Sequence, residues 1–108
     1  MDDEGFRLGV VLRFVDASTD ALSRAREEID ALNVYPVPDG DTGTNMFLTV
    51  SAARDAIREA VDDEPGLGVD TALTRFARGA LLGARGNSGV ILSQMLGAVA
   101  HRIAEAGP

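Results

Sequence analysis

The chain has 108 residues, a net charge of −7, and no cysteine, tryptophan or lysine; all ten basic residues are arginine. A Walker-type phosphate loop and a Schiff-base enzyme both need lysine, so both are excluded, as are cysteine nucleophiles, thiolate zinc sites and disulfide scaffolds. The single histidine, His101, cannot build a His-rich metal site, and the acidic balance argues against nucleic acid as a partner.

The pattern is helical throughout. From Phe6 to Leu32, apolar residues recur at Val11, Phe14, Leu22, Ala25, Ile29 and Leu32, with Ser18 filling the missing stripe position. Most spacings are three, four or their sums, which is one face of a long helix. Arg24, Arg26, Glu27, Glu28 and Asp30 lie mostly off that stripe and read as a solvated face. The period then stops at Tyr35-Pro36-Val37-Pro38-Asp39-Gly40-Asp41-Thr42-Gly43, with two prolines and two glycines in nine residues. Proline fixes its own φ and disfavours helix at the residue before it, so this is a specified loop. Thr44 or Asn45 can cap the next helix.

A second helix is predicted from Asn45 to about Val61, with Met46, Val50, Ala53, Ile57 and Ala60 on one side. Asp62-Asp63-Glu64 ends it, as a solvated terminus that suits the helix dipole badly. A third helix is predicted from Val69 or Asp70 to Leu82, carrying Leu73, Phe76, Ala77, Ala80 and Leu81. Gly83-Ala84-Arg85-Gly86-Asn87-Ser88-Gly89 breaks it. A fourth helix runs from Ser88 to about Ala104, with Ile91, Met95, Val99 and Ile103 spaced by four. The fold class is all-α, and Met46, Met95 and Phe76 read as core. The length suits one domain or part of one, and a chain of this size buries roughly 65% of its unfolded surface. No apolar run approaches the ~20 residues of a membrane span, and the acidic N-terminus is no secretory signal. The absence of cysteine is compatible with a cytoplasmic protein.

Two loops carry the chemistry. Asp39 and Asp41 stand two residues apart around a pliable Gly40. Paired carboxylates repel unless a cation sits between them, and hard oxygen ligands at this spacing suit Mg²⁺ or Ca²⁺. A calcium EF-hand loop would need a glutamate at its twelfth position, which counted with Asp39 as the first is Val50, so phosphate-bound Mg²⁺ is the better metal reading. The plain alternative is an acidic turn, since Asp-Gly is a common turn pair. The second loop, Gly83 to Gly89, lets backbone N–H groups approach a ligand, and Ser88 opens a helix whose N-terminus favours phosphate. Arg85 adds either a charged donor to phosphate or a surface pair. The alternative here is a cap and turn joining two helices. Together, carboxylates for a metal and donors for phosphate make a minimum set for phosphoryl transfer, which relies on positioning and charge neutralisation.

Leu32-Asn33-Val34-Tyr35-Pro36-Val37-Pro38-Asp39-Gly40-Asp41-Thr42-Gly43-Thr44-Asn45-Met46 resembles the signature loop of the Dak2 family, which contains the ATP-binding domain of dihydroxyacetone kinases. The Asn-Val-Tyr-Pro-Val-Pro form is most similar to the bacterial fatty acid kinase branch, whose second loop resembles Gly83 to Gln94. The likeness runs through about residues 6–100, roughly half of a Dak2 domain, so the chain reads as its N-terminal portion. The resemblance implies an antiparallel helical barrel holding ATP at one end, with Asp39 and Asp41 holding Mg²⁺ on the phosphates. It extends the metal role to Asn33, near the place of a third aspartate in dihydroxyacetone kinases. It places Thr42, Gly43, Thr44 and Asn45 at the nucleotide, and Asn87, Ser88 and Gly89 at the phosphates. It further implies a partner protein that holds the substrate, a fatty acid or, in the other branch, dihydroxyacetone. His101 matches no substrate-binding role and reads as exposed or packing. Tyr35 reads equally as packing under the loop or touching a partner. A half barrel leaves apolar helix faces uncovered, so the competing expectation is a catalytically inert helical fragment that self-associates or assembles with another protein.

Overall fold

The structure, a computed structural model, describes residues 3–32 and 41–106. Asn33, Tyr35 and Asp39 lie outside the described residues. Among the described residues four helices make up the architecture: α1 (Asp3–Leu32), α2 (Thr42–Asp63), α3 (Val69–Leu82) and α4 (Gly86–Glu105). No strand occurs among the described residues. Helix α2 is the central element, packed against α1, α3 and α4, while α3 also packs on α4.

The core lies where α2 meets α3. Ala53 and Ile57 of α2 and Val69, Ala72 and Ala80 of α3 are almost wholly inaccessible, and Leu73 and Phe76 are buried beside them. The two helices approach closely because the contact is built from small residues. A Cβ added at Gly79 would stand 2.5 Å from Ala56 Cβ, inside any normal contact. The expected stripes of α2 and α3 are therefore the buried ones, except that Leu81 is 56% exposed and Met46 and Ala77 are half-buried.

The outer helices depart from expectation. On α1 the buried positions are Val15 and Thr19, while Phe14 and Leu32, assigned to the stripe, are exposed. On α4 the expected core face fails more fully, since Ile91, Met95 and Val99 are all at least half exposed. The buried positions of α4 are Gly89, Ser93 and Ala100. Periodicity identifies an apolar face but not which neighbour covers it, and α4 reaches α2 and α3 with its small residues instead. The outward apolar face joins that of α1. Phe6, Val10 and Phe14 on one side and Leu96, Val99 and Ile103 on the other flank a groove of about 480 Å³, floored by Leu73 and Phe76. The Arg7 guanidinium spans it, donating to the Ile103 carbonyl at 3.2 Å.

The α2–α3 seam should dominate stability. Ile57→Ala removes a side chain with no exposed surface and is expected to cost about 2–5 kcal/mol in denaturant unfolding. Phe14→Ala, on the exposed wall, should change unfolding by less than about 1 kcal/mol.

Candidate phosphate and metal site

The site is built where two helices begin. Helix α2 starts at Thr42, three residues before the expected Asn45, because its first N–H groups are capped by a side chain from another helix. Asp30, in the last turn of α1, accepts from Gly43 N–H at 2.6 Å and Thr44 N–H at 3.3 Å through Oδ1. Its Oδ2 accepts from the Thr44 hydroxyl at 2.7 Å. The N-cap residue Asp41 makes no capping bond with its side chain, so neither Thr44 nor Asn45 caps α2 as expected. Gly43 is buried against α1 so tightly that a Cβ there would overlap the Arg26 carbonyl oxygen.

Asp30 and Arg26, both expected on a solvated face, are half-buried. Arg26 stacks over Phe47 of α2, its guanidinium 5.4 Å from the ring centroid. The Thr44 hydroxyl bond does most to hold the Asp30 carboxyl below its ordinary value. Burial opposes it, while the Thr44 and Gly43 N–H bonds and the nearby Arg26 charge assist.

Helix α4 starts at Gly86, two residues before the expected Ser88, with Arg85 as an N-cap whose side chain makes no capping bond. Gly86 has φ +67°, a left-handed conformation that glycine adopts without strain. The α4 start is seated on α2 by two contacts. A Cβ at Gly86 would lie 2.6 Å from Asn45 Nδ2, and one at Gly89 would lie 2.5 Å from Thr49 Oγ1. The buried Thr49 hydroxyl donates to the Asn45 carbonyl at 2.8 Å and accepts from the Arg85 N–H at 3.1 Å. Gly89 N–H returns to the Arg85 carbonyl at 3.1 Å, the first turn of α4. The N–H groups of Gly86, Asn87 and Ser88 precede that first intrahelical bond and point along the axis toward the positive end of the helix dipole.

Two helix N-termini thus stand side by side with Asp41 exposed at the start of one of them. Of the expected site residues, Asp41, Thr42, Gly43, Thr44 and Asn45 sit at the head of α2, and Asn87, Ser88 and Gly89 in the first turn of α4. Gly89 is buried under Thr49, and Thr44 is engaged by Asp30, so these two shape the site from behind. Among the described residues no three carboxylates or histidines converge. His101 lies away on α4, 73% exposed and 3.4 Å from Glu105. Asp30 and Thr49 were missed by sequence reasoning. A signal for Asp30 existed: an acid in the last turn of a helix opposes the dipole and calls for compensation from elsewhere.

Because the folded-state pKa of Asp30 is lowered, its bonds contribute stability above the ordinary carboxyl value of 3.8 that is lost as pH falls through the lower folded value. Asp30→Asn, which cannot titrate, should show a shallower loss of stability below pH 4 than the wild type in acid unfolding followed by circular dichroism.

The DAK2 domain model matches residues 36–107. An uncharacterized protein of Staphylococcus saprophyticus is 53% identical over 75 residues, covering 68% of this chain and 13% of its own length. One of Staphylococcus epidermidis is 48% identical over 85 residues, or 78% of this chain and 14% of its own length. One of Staphylococcus aureus strain USA300 is 52% identical over 75 residues, or 68% of this chain and 13% of its own length. The chain therefore spans about one seventh of the curated relatives it matches. By the domain match, the chain belongs to the DAK2 domain family.

Proposed function

We propose that the chain is the Mg·ATP-binding part of a two-component cytoplasmic kinase, the N-terminal portion of a helical barrel. It transfers the γ-phosphoryl group to a fatty acid carboxylate held by a partner protein. The observation that supports this best is the pairing of an exposed Asp41 with the uncapped first turn of α4, fixed through Asn45 and Thr49. The donor set fits the group: Asp39, Asp41 and Asn33 offer hard oxygens, which suit Mg²⁺. Bound there, Mg²⁺ supplies charge neutralisation on the phosphates, a need sharpened by the absence of lysine.

The chain's own residues do the rest. The N–H groups of Gly86, Asn87 and Ser88 offer donors to phosphate oxygens, and Asn87, exposed beside them, adds a side-chain amide. Thr42 and Asn45 orient the nucleotide from the α2 side. Arg85, exposed at the N-cap, brings a charged donor. None of these groups is a general base, which fits a reaction driven by positioning and electrostatics. The Asn-Val-Tyr-Pro-Val-Pro form favours a fatty acid acceptor over dihydroxyacetone.

A second reading, a helical piece acting in assembly, is favoured by one observation: the apolar groove between α1 and α4 and the exposed Ile91 and Met95 leave a large uncovered face. No helix among the described residues is long and apolar enough to cross a membrane.

The kinase reading expects Asp39→Ala, Asp41→Ala to weaken ATP binding at least about tenfold when Mg²⁺ is present and to change it little when Mg²⁺ is chelated. Equal affinity of wild type and double variant in Mg²⁺, by isothermal titration calorimetry, contradicts the metal assignment. A clean monomer by light scattering that binds Mg·ATP contradicts the assembly reading.

A further inference from the structure

Asp30 stands at the junction of everything that places the site. It lies at the negative end of α1, where an acid is disfavoured, yet its carboxylate takes three bonds from the positive end of α2. The backbone contact of Gly43 on Arg26 and the Arg26–Phe47 stacking press the same ends together. Thr44, held by both its N–H and its hydroxyl, is followed directly by Asn45, whose side chain meets Gly86 at the head of α4. One turn further on, Thr49 links the Asn45 carbonyl to the Arg85 N–H. A continuous path of contacts therefore runs from the Asp30 carboxylate to the α4 N-terminus. Asp41 is set at the start of the same helix, its carbonyl accepting from Asn45 N–H at 2.8 Å.

We propose that Asp30 is a positioning residue for nucleotide phosphate: its carboxylate fixes where α2 begins, and so where Asp41 and Asn45 stand against the first turn of α4. The proposal rests on the Mg·ATP reading above. It assigns Thr44 to the clamp rather than to the ligand. It also distinguishes two N-termini that look alike in sequence. The α2 donors of Gly43 and Thr44 are already committed to a carboxylate, leaving the α4 donors as the ones that meet phosphate. Small displacements of positioned groups carry large consequences for a site that works by geometry.

The test compares the wild-type chain with Asp30→Ala and Asp30→Asn. Asparagine keeps an acceptor for the Gly43 and Thr44 N–H groups and an amide beside the Thr44 hydroxyl; alanine keeps neither. Calorimetry gives the Mg·ATP affinity, and amide hydrogen exchange by NMR reads Gly43 and Thr44 without nucleotide. Expected are faster exchange at both amides and about tenfold weaker Mg·ATP binding for Asp30→Ala, with Asp30→Asn within about threefold of wild type. Asp30→Ala binding as well as wild type overturns the proposal. Tighter binding also overturns it, because the carboxylate would then be occupying the place of a phosphate. Asp30→Asn failing as badly as Asp30→Ala overturns it too, because charge at a metal would then outweigh position. If the wild-type chain binds no Mg·ATP, the nucleotide reading itself fails and positioning with it; fast exchange in Asp30→Ala would then mark Asp30 as a helix cap only.

Discussion

Helices α1 and α2 are joined through a carboxylate at the end of one and the open amides at the start of the other. At the close of α1, Asp30 would face the unsatisfied carbonyls of its own helix; at the head of α2 it meets Gly43 N–H, Thr44 N–H and the Thr44 hydroxyl. The same charge is unfavourable in the first setting and favourable in the second. Satisfying it draws the two helix ends together across residues 33–40 and sets the start of α2 at Thr42. The placement of α4 depends on this, because Asn45 and Thr49, in the next turns of α2, are the seat for Gly86, Arg85 and Gly89. Glycine at 86 and 89 is what allows α4 to begin so close to α2. A larger residue would meet Asn45 and the Thr49 hydroxyl.

Packing explains why the two helix starts adjoin in one place and an apolar groove lies elsewhere. The α2–α3 seam uses alanine and glycine to bring two backbones together, and α4 joins them through Gly89, Ser93 and Ala100. Helices that approach through small residues turn their large ones outward. Ile91 and Met95 of α4 consequently remain exposed, as do Phe6 and Phe14 of α1, and a groove opens between α1 and α4 over Leu73 and Phe76. The relatives are some seven times longer than the matched stretch, so an uncovered apolar face is in keeping with the proposed reading of the chain as one portion of a larger domain.

Much of this was legible in the residues. The four helices of the described residues, the break at Gly83, and the buried stripe Val50, Ala53, Ile57 and Ala60 can be read from periodicity and turn chemistry. The two loops carry the resemblance to the Dak2 family, and the DAK2 domain match bears out that family. What could not be read was the partner of each face. Ile91, Met95 and Val99 have the spacing of a core stripe, but spacing carries no information about which neighbour covers it. Local rules likewise place the cap of α2 within a few residues, at Thr44 or Asn45, whereas Asp30 reaches it from another helix. Asn33 and Asp39 lie outside the described residues.

The central claim is that the two adjoining helix starts form one phosphate site. An NMR titration of the ¹⁵N-labelled chain with Mg·ATP tests it most directly. The account expects the largest amide shifts at Asp41 to Asn45 and at Gly86 to Gly89, saturating together at a single affinity. Shifts confined to the groove residues Phe14, Leu96 and Val99, or none at saturating Mg·ATP, would contradict it.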